Sequence, residues 1–190
     1  MSKMLEIRWH GRGGQGAKSA ALLLAEAAMD AGKYIQGFPE YGPERAGAPI
    51  KAYTRISDEQ IDIHCGVTNP QIVIVIDPTL LASVPVTEGL KSDGILLVNS
   101  DKDPKTVREM LDMKDGKVYT VDANKIAMDT IKKPLPNTPM IGALIGATNL
   151  IEEKNMEKQI HHKFFSKLGQ KGVDANIEAV KRAIKEVKGE

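Results

Sequence analysis

A glycine-rich turn separates an alternating strand from an alanine-rich helix near the start of the chain, and few folds accommodate that order. Apolar and polar side chains alternate from Leu5 to His10, which is typical of a strand with one buried and one polar face. Residues 17–31, after the turn, are dense in alanine and leucine, which predicts a helix with Gly32 at its C-terminal cap. The unit indicates an α/β protein with a Rossmann-like first βα unit.

Five further candidate strands extend this sheet. Two alternating runs, 50–56 and 61–65, are separated by four residues and predict an antiparallel hairpin. Continuous aliphatic runs are typical of parallel strands that are covered on both faces, and they occur at 72–76 and 95–98. Asp77 and Asn99 end these runs, at the carboxyl edge where open α/β sheets bind ligands. Residues 117–121 form a fifth candidate strand. Glycine and proline punctuate residues 33–49, which predicts a long loop.

The second half of the chain is predicted to be mainly helical, with helices at 124–131, 139–150, 156–168 and 174–187. Thr138 is a suitable N-cap for the second of these, with Pro139 at its first position. Gly142 and Gly146 lie one turn apart, so another element should pack closely there. The elements together predict a three-layer α/β/α sandwich with a mixed, mostly parallel sheet and an antiparallel hairpin.

Composition limits the classes of function that this chain can have. It has 190 residues, with 26 Lys and Arg against 25 Asp and Glu, so we expect one domain over 1–190 and no dedicated nucleic-acid binding. One cysteine, Cys65, excludes an internal disulfide framework or an iron–sulfur cluster held by this chain. No apolar run is long enough for a membrane span, and the N-terminus lacks an apolar signal core. These observations predict a soluble, cytoplasmic protein.

The glycine turn itself allows three interpretations. Gly11-x-Gly13-x-x-Gly16 between a strand and a helix fits the dinucleotide-binding fingerprint, in which backbone amides approach a phosphate. Against that interpretation, Arg8 and His10 interrupt the strand, and the acidic residue expected about 20 residues later is missing. The alternatives are a tight turn that docks the first helix and an anion or phosphate site shared with another chain.

Other chemistry-bearing residues do not form a site. His64 and Cys65 are neighbours in a predicted strand, so their side chains would point to opposite faces. His161 and His162 lie about 100° apart around a predicted helix and have no second ligand at helical spacing. No catalytic residue and no metal site is therefore predicted in this chain.

Four motifs, taken in order, resemble those of a known family. They are EIRWHGRGGQGAKSAALLLAEAA, GFPEYGPERAGAPIKAYTRI, PNTPMIGAL and DANIEAVKRA. The chain is similar to the gamma subunits of the anaerobic 2-oxoacid:ferredoxin oxidoreductases, and within them to the pyruvate type. The resemblance covers nearly the whole chain.

The resemblance implies a subunit of an enzyme that converts a 2-oxoacid and coenzyme A (CoA) to an acyl-CoA and CO2 and passes electrons to ferredoxin. It further implies that alpha, beta and delta subunits are the partners, and that they hold thiamine diphosphate, Mg and [4Fe–4S] clusters. The gamma chain would carry no complete active site. Arg8 and His10 would then face partner chains.

The resemblance also implies a set of candidate residues for binding CoA. Three signatures match the family: the glycine turn, a second signature in the loop after it, and a third at a helix start; their residues are Gly11, Gly13, Gly14, Gly16, Tyr41, Gly42, Glu44, Arg45 and Asn137. Backbone amides and Arg45 could hold phosphates of CoA. Glu44 and Arg45 could instead form a salt bridge between subunits.

The choice of 2-oxoacid depends on a weaker indication. Chains acting on 2-oxoglutarate often have Arg-Gly-Gly where this one has Arg45-Ala46-Gly47-Ala48-Pro49. That difference favours pyruvate, followed by 2-oxoisovalerate. A stand-alone dinucleotide-binding oxidoreductase or sensor, and a scaffold that binds no small molecule, remain as alternatives from other functional classes.

Overall fold

Seven strands form one mixed sheet in the computed structural model, which describes residues 4–40 and 47–190 of the chain. In chain order the strands are β1 (Leu5–Arg12), β2 (Tyr34–Pro39), β3 (Pro49–Ser57), β4 (Ile72–Val75), β5 (Ile95–Asn99), β6 (Lys117–Val121) and β7 (Lys188–Gly189). Their spatial order is β2-β3-β1-β4-β5-β6-β7. β1, β4, β5 and β6 are parallel, whereas β3 is antiparallel to β1 and β2, and β7 to β6.

Helices cover both faces of this sheet. They are α1 (Ala17–Asp30), α2 (Pro104–Met110), α3 (Ala123–Thr130), α4 (Asn137–Thr148) and α5 (Glu153–Glu186), with a short 3₁₀ helix at Pro78–Ala82. The larger core lies between the sheet and α1, α3, α4 and α5, around residues such as Trp9 and Ile74. Val73 and Val75 point to the opposite face, where they pack with the 3₁₀ helix and α2.

The predicted α/β/α sandwich is confirmed. The described sheet has three parallel and three antiparallel strand pairings, so it has more antiparallel pairing than expected. The difference arises because the sequence patterns do not indicate β2 and β7, each of which adds one antiparallel pairing. Within the described residues, no helix has both the length and the apolar character that crossing a membrane requires.

The predicted hairpin is wrong in its second strand. The partner of β3 on its outer side is β2, which lies inside the segment predicted as a loop, whereas residues 61–65 are not a strand. Proline is tolerated in β2 because this strand is at the edge of the sheet. Gly37 packs closely on α1, since a Cβ at this position would lie 3.1 Å from Leu22 Cδ2.

The predicted polar face of β1 is also buried, because β1 lies between β3 and β4 in the sheet. Arg8 and His10 are only 6% and 2% exposed. Arg8 Nε donates to His10 Nε2 at 3.0 Å, and Arg8 Nη2 donates to the carbonyl oxygens of Val86 (3.0 Å) and Glu88. The interpretation that these side chains face partner chains is therefore wrong, since this chain's own residues cover them.

The close packing expected at α4 is confirmed. A Cβ at Gly142 would lie 2.5 Å from the Val180 carbonyl oxygen of α5, and one at Gly146 would lie 2.6 Å from that of Ile184. The predicted cap is wrong, because α4 begins at Asn137 after Pro136. Thr138 is buried and donates its hydroxyl to Asn176 Oδ1 at 3.0 Å.

The two predicted C-terminal helices are the two halves of α5. They are separated at Gly169, whose φ of 63° and ψ of −175° are not helical. Helix α2 is not predicted from periodicity because it has only seven residues. Asp103 caps it by accepting a hydrogen bond from the Lys105 amide at 3.1 Å, with Pro104 at the first position.

Candidate functional site

The glycine turn connects the end of β1 to the start of α1. Gly14 and Gly16 have φ values of 97° and 82°, a conformation that residues with a Cβ rarely adopt. Gly16 is the N-cap of α1. Gly13 donates its amide to the Ala48 carbonyl oxygen at 3.1 Å, and Gly11 packs against Ala17 of α1. The turn is therefore braced by contacts with the start of β3 and with α1.

Asp77, at the end of β4, organises the polar contacts of the turn. Its Oδ2 accepts a hydrogen bond from Gln15 Nε2 at 2.6 Å and lies 3.3 Å from Arg12 Nε. Its Oδ1 accepts hydrogen bonds from the amide and hydroxyl of Thr79 at 2.9 and 2.6 Å. Burial acts to raise the pKa of this carboxyl, but the hydrogen bonds from Thr79 and Gln15 outweigh it, so the pKa is lower than usual.

A groove of about 570 Å³ opens beside the turn, between α1, α4 and the break in α5. Asn137, the first residue of α4, packs against Gly16, where a Cβ would lie 2.9 Å from Asn137 Cγ. The N-termini of α1 and α4 therefore meet at the groove. Neither helix has an acidic residue in its first turn or a side-chain cap, so their positive ends are not neutralised locally.

The groove combines cationic and apolar surface. Among the described residues that line it, the charged side chains are Lys133 and Lys171. Apolar side chains, including those of Leu135, Phe164 and Leu168, form much of the remaining wall. This arrangement suits a ligand that has an anionic group together with an apolar or aromatic portion.

The structure brings together three of the predicted site residues, Gly14, Gly16 and Asn137, at this groove. Gly11 and Gly13 belong to the same turn but do not line the groove. The predicted site residues of the second signature, Tyr41, Glu44 and Arg45, lie outside the described residues, as does Gly42. The end of that signature nevertheless reaches the turn, because Arg12 Nη1 donates to the Gly47 carbonyl oxygen at 3.2 Å.

Sequence reasoning did not assign Arg12, Gln15, Thr79, Lys133 or Lys171 to a site, and it placed Asp77 at the ligand-binding edge of the sheet without giving it a role. A usable signal existed for Asp77. It follows a buried parallel strand next to β1, and ligands of open α/β sheets bind at the carboxyl ends of such strands. The lysines carry no comparable signal, because tertiary packing alone brings them to the groove.

The other histidines and the cysteine do not join this site. His64 and Cys65 are exposed in a segment that is not a strand, and His161 and His162 are exposed on α5. The ring of His161 stacks on Phe165 with 4.9 Å between centroids. Within residues 4–40 and 47–190, no three His, Cys, Asp or Glu side chains cluster in a way that could hold a metal ion.

Buried His10 is held neutral. Burial, together with the charges of Arg8 and Lys51, lowers the pKa of His10 to about 3. The neutral ring accepts the Arg8 hydrogen bond through Nε2, which places its own proton on Nδ1. We therefore assign His10 a structural role, in which it supports β1 behind the glycine turn.

Comparison with known proteins identifies the family. The sequence profile described as pyruvate ferredoxin/flavodoxin oxidoreductase matches residues 6–186. The chain belongs to this family. The resemblance indicated by the four motifs is thereby confirmed.

Individual members of the oxidoreductase family agree over nearly the whole length. The chain is 53% identical over 186 residues to pyruvate synthase subunit PorC of Thermotoga maritima, covering 98% of this chain and 96% of that protein. It is 47% identical over 179 residues to the pyruvate/ketoisovalerate oxidoreductases common subunit gamma of Pyrococcus abyssi, covering 94% and 97%. The crystal structure of pyruvate oxidoreductase subunit PORC from Thermotoga maritima, 51% identical, superposes with a TM-score of 0.88 and 98% coverage of both chains.

These relatives are named as single subunits, which confirms the expectation of a gamma-type subunit of an oxidoreductase. An enzyme subunit without a complete active site is consistent with the groove, whose described lining residues offer cations and apolar surface but no paired nucleophile and base. The family assignment favours the subunit interpretation over a stand-alone dinucleotide-binding oxidoreductase.

Proposed function

We propose that this chain, as one domain over residues 1–190, is the gamma subunit of a cytoplasmic pyruvate:ferredoxin oxidoreductase and contributes to its CoA site. The enzyme converts pyruvate and CoA to acetyl-CoA and CO2 and passes two electrons to ferredoxin. Thiamine diphosphate, Mg and [4Fe–4S] clusters belong to the alpha, beta and delta partners. One relative is named as a gamma subunit common to pyruvate and ketoisovalerate oxidoreductases, which supports 2-oxoisovalerate as the alternative 2-oxoacid.

The groove beside the glycine turn is the observation that carries the CoA proposal. CoA has phosphate groups, an adenine ring and a long, mostly uncharged arm. Two helix N-termini together with Lys133 and Lys171 suit the phosphates, whereas Phe164 and Leu168 suit the adenine or the arm. A dinucleotide would share some of this chemistry, but the family assignment favours CoA.

Exposed apolar side chains support a role in assembly. Leu135, Phe165 and Leu168 are 38%, 47% and 48% exposed, and they lie at or next to the groove. Surface of this kind, clustered in one region, is typical of protein–protein contacts. We therefore propose that partner subunits pack beside the groove.

Replacing one of the two lysines of the groove tests the CoA proposal. In the assembled enzyme, Lys171→Ala is expected to raise the apparent KM for CoA about tenfold, because one charge-assisted contact to a phosphate is lost. The KM for pyruvate should not change. Steady-state assays of CoA-dependent ferredoxin reduction measure both constants.

Lys167→Ala is the matched control, since this lysine is exposed on α5 but does not line the groove. An unchanged KM for CoA in the Lys171 variant, with intact assembly, would contradict the CoA assignment. Arg45→Ala applies the same assay to the second signature, and an unchanged KM would leave the intersubunit salt bridge as its role.

A further inference from the structure

We infer that Asp77 is a positioning residue that sets the affinity of the groove for CoA by fixing the glycine turn through Gln15 and Arg12. The inference rests on the proposed function, because it assigns a support to the same site. Asp77 does not line the groove itself. Its effect on a ligand must therefore be transmitted through the turn.

Within the described residues, the Asp77 carboxylate accepts hydrogen bonds from Gln15 Nε2 and from the amide and hydroxyl of Thr79, and it forms an ion pair with Arg12. An ionised carboxylate only accepts hydrogen bonds, so it satisfies all of them. An asparagine would present an NH2 group to at least one of these donors.

Gln15 cannot rotate to compensate for the loss of the Asp77 acceptor. Its Oε1 already accepts a hydrogen bond from the Arg12 amide at 2.7 Å, which requires Nε2 to face Asp77. The Gln15 side chain therefore joins the last residue of β1 to the end of β4. Gly14 and Gly16, which line the groove, are the neighbours of Gln15 in the chain. Loss of the Asp77 acceptor would loosen the turn where it borders the groove.

The cluster around Asp77 also reaches the residues that follow the second signature. Arg12 donates to Thr79 Oγ1 at 3.0 Å and to the Gly47 carbonyl oxygen at 3.2 Å. Gly13 donates to the Ala48 carbonyl oxygen. Asp77 is therefore linked through Arg12 to residues 47–48 as well as through Gln15 to the glycine turn.

Asp77→Asn in the assembled enzyme tests the inference. We expect the apparent KM for CoA to rise about tenfold, whereas kcat and the KM for pyruvate change by less than about twofold. A purely structural role would lower the amount of assembled enzyme or change both KM values. The split between the two KM values is therefore the decisive readout.

Asp122→Asn is the matched control. Asp122 caps α3 by accepting a hydrogen bond from the Lys125 amide at 2.9 Å, a task that asparagine performs equally well. Gln15→Ala is the second variant, and it keeps the carboxylate while breaking the bridge. If Asp77 acts through Gln15, the double variant should raise the KM for CoA no more than the stronger single variant.

The outcomes separate this inference from the CoA proposal. Suppose that Lys171→Ala raises the KM for CoA, but that Asp77→Asn and Gln15→Ala raise it no more than the Asp122→Asn control does. The positioning role of Asp77 is then overturned, and the CoA proposal stands. If Asp77→Asn fails to assemble, Gln15→Ala decides in the same way. If the Asp77 and Gln15 variants raise the KM for CoA while Lys171→Ala does not, the positioning role stands and the assignment of the groove to CoA fails.

Discussion

Gly142→Ala is expected to lower the free energy of unfolding of the full chain by about 2 kcal/mol. The new Cβ would lie 2.5 Å from the Val180 carbonyl oxygen and 2.8 Å from its Cα, and backbone atoms cannot rotate away. Overpacking of this kind costs about 3 kcal/mol, and the better helix propensity of alanine offsets about 1 kcal/mol of it. Denaturant unfolding followed by circular dichroism measures the difference.

Gly66→Ala is the matched control, because it adds the same methyl group where there is room. A Cβ at Gly66 would lie 3.4 Å from Tyr53 Oη, an ordinary contact distance. We expect this variant to stay within about 0.5 kcal/mol of the wild type. An equal loss in both variants, or none in Gly142→Ala, would contradict the close α4–α5 contact on which the groove depends.

His10→Gln is expected to flatten the dependence of stability on pH. Since the pKa of His10 is about 3 in the folded chain and about 6.5 when unfolded, the unfolded chain binds a proton between these values that the folded chain does not. Wild-type stability should therefore fall as pH is lowered below about 6.5, by up to about 1.4 kcal/mol per pH unit from this group. Glutamine does not titrate, and its oxygen can accept the Arg8 hydrogen bond.

The difference between wild type and His10→Gln should thus change by about 2 kcal/mol between pH 6.5 and 4.5, since the unfolded His10 is already half protonated at pH 6.5. Thermal or urea unfolding at several pH values measures it. His161→Gln is the control, since that histidine is exposed, and it should leave the wild-type slope unchanged. A parallel pair of curves for wild type and His10→Gln would contradict the burial of a neutral His10.

Local sequence patterns correctly predicted the elements whose conformation depends mainly on their own residues. The first helix, predicted at 17–31, is observed as Ala17–Asp30, and the aliphatic run at 95–98 lies within β5. The identity of the edge strand was not predictable in this way. Whether Gly37 and Pro39 form a loop or an edge strand depends on α1 packing beneath them, which is a tertiary contact.

Part of the candidate site could likewise be predicted from local sequence, whereas the rest depends on tertiary contacts. Gly14 and Gly16 could be identified because a turn with positive φ between a strand and a helix needs glycine. Asn137 came from the family resemblance, and its proximity to Gly16 follows only from the packing of α4 against α1. The burial of Arg8 and His10 could not be predicted, since it depends on the sheet order and on residues 84–88, far away in sequence.

The most direct test of the central claim is to purify the tagged chain from its native cells without oxygen and to assay CoA-dependent pyruvate oxidation. The subunit assignment predicts that thiamine- and cluster-binding chains co-purify in a fixed ratio and that the preparation reduces ferredoxin when pyruvate and CoA are both present. A chain that purifies alone, shows no such activity and binds a dinucleotide saturably would contradict it.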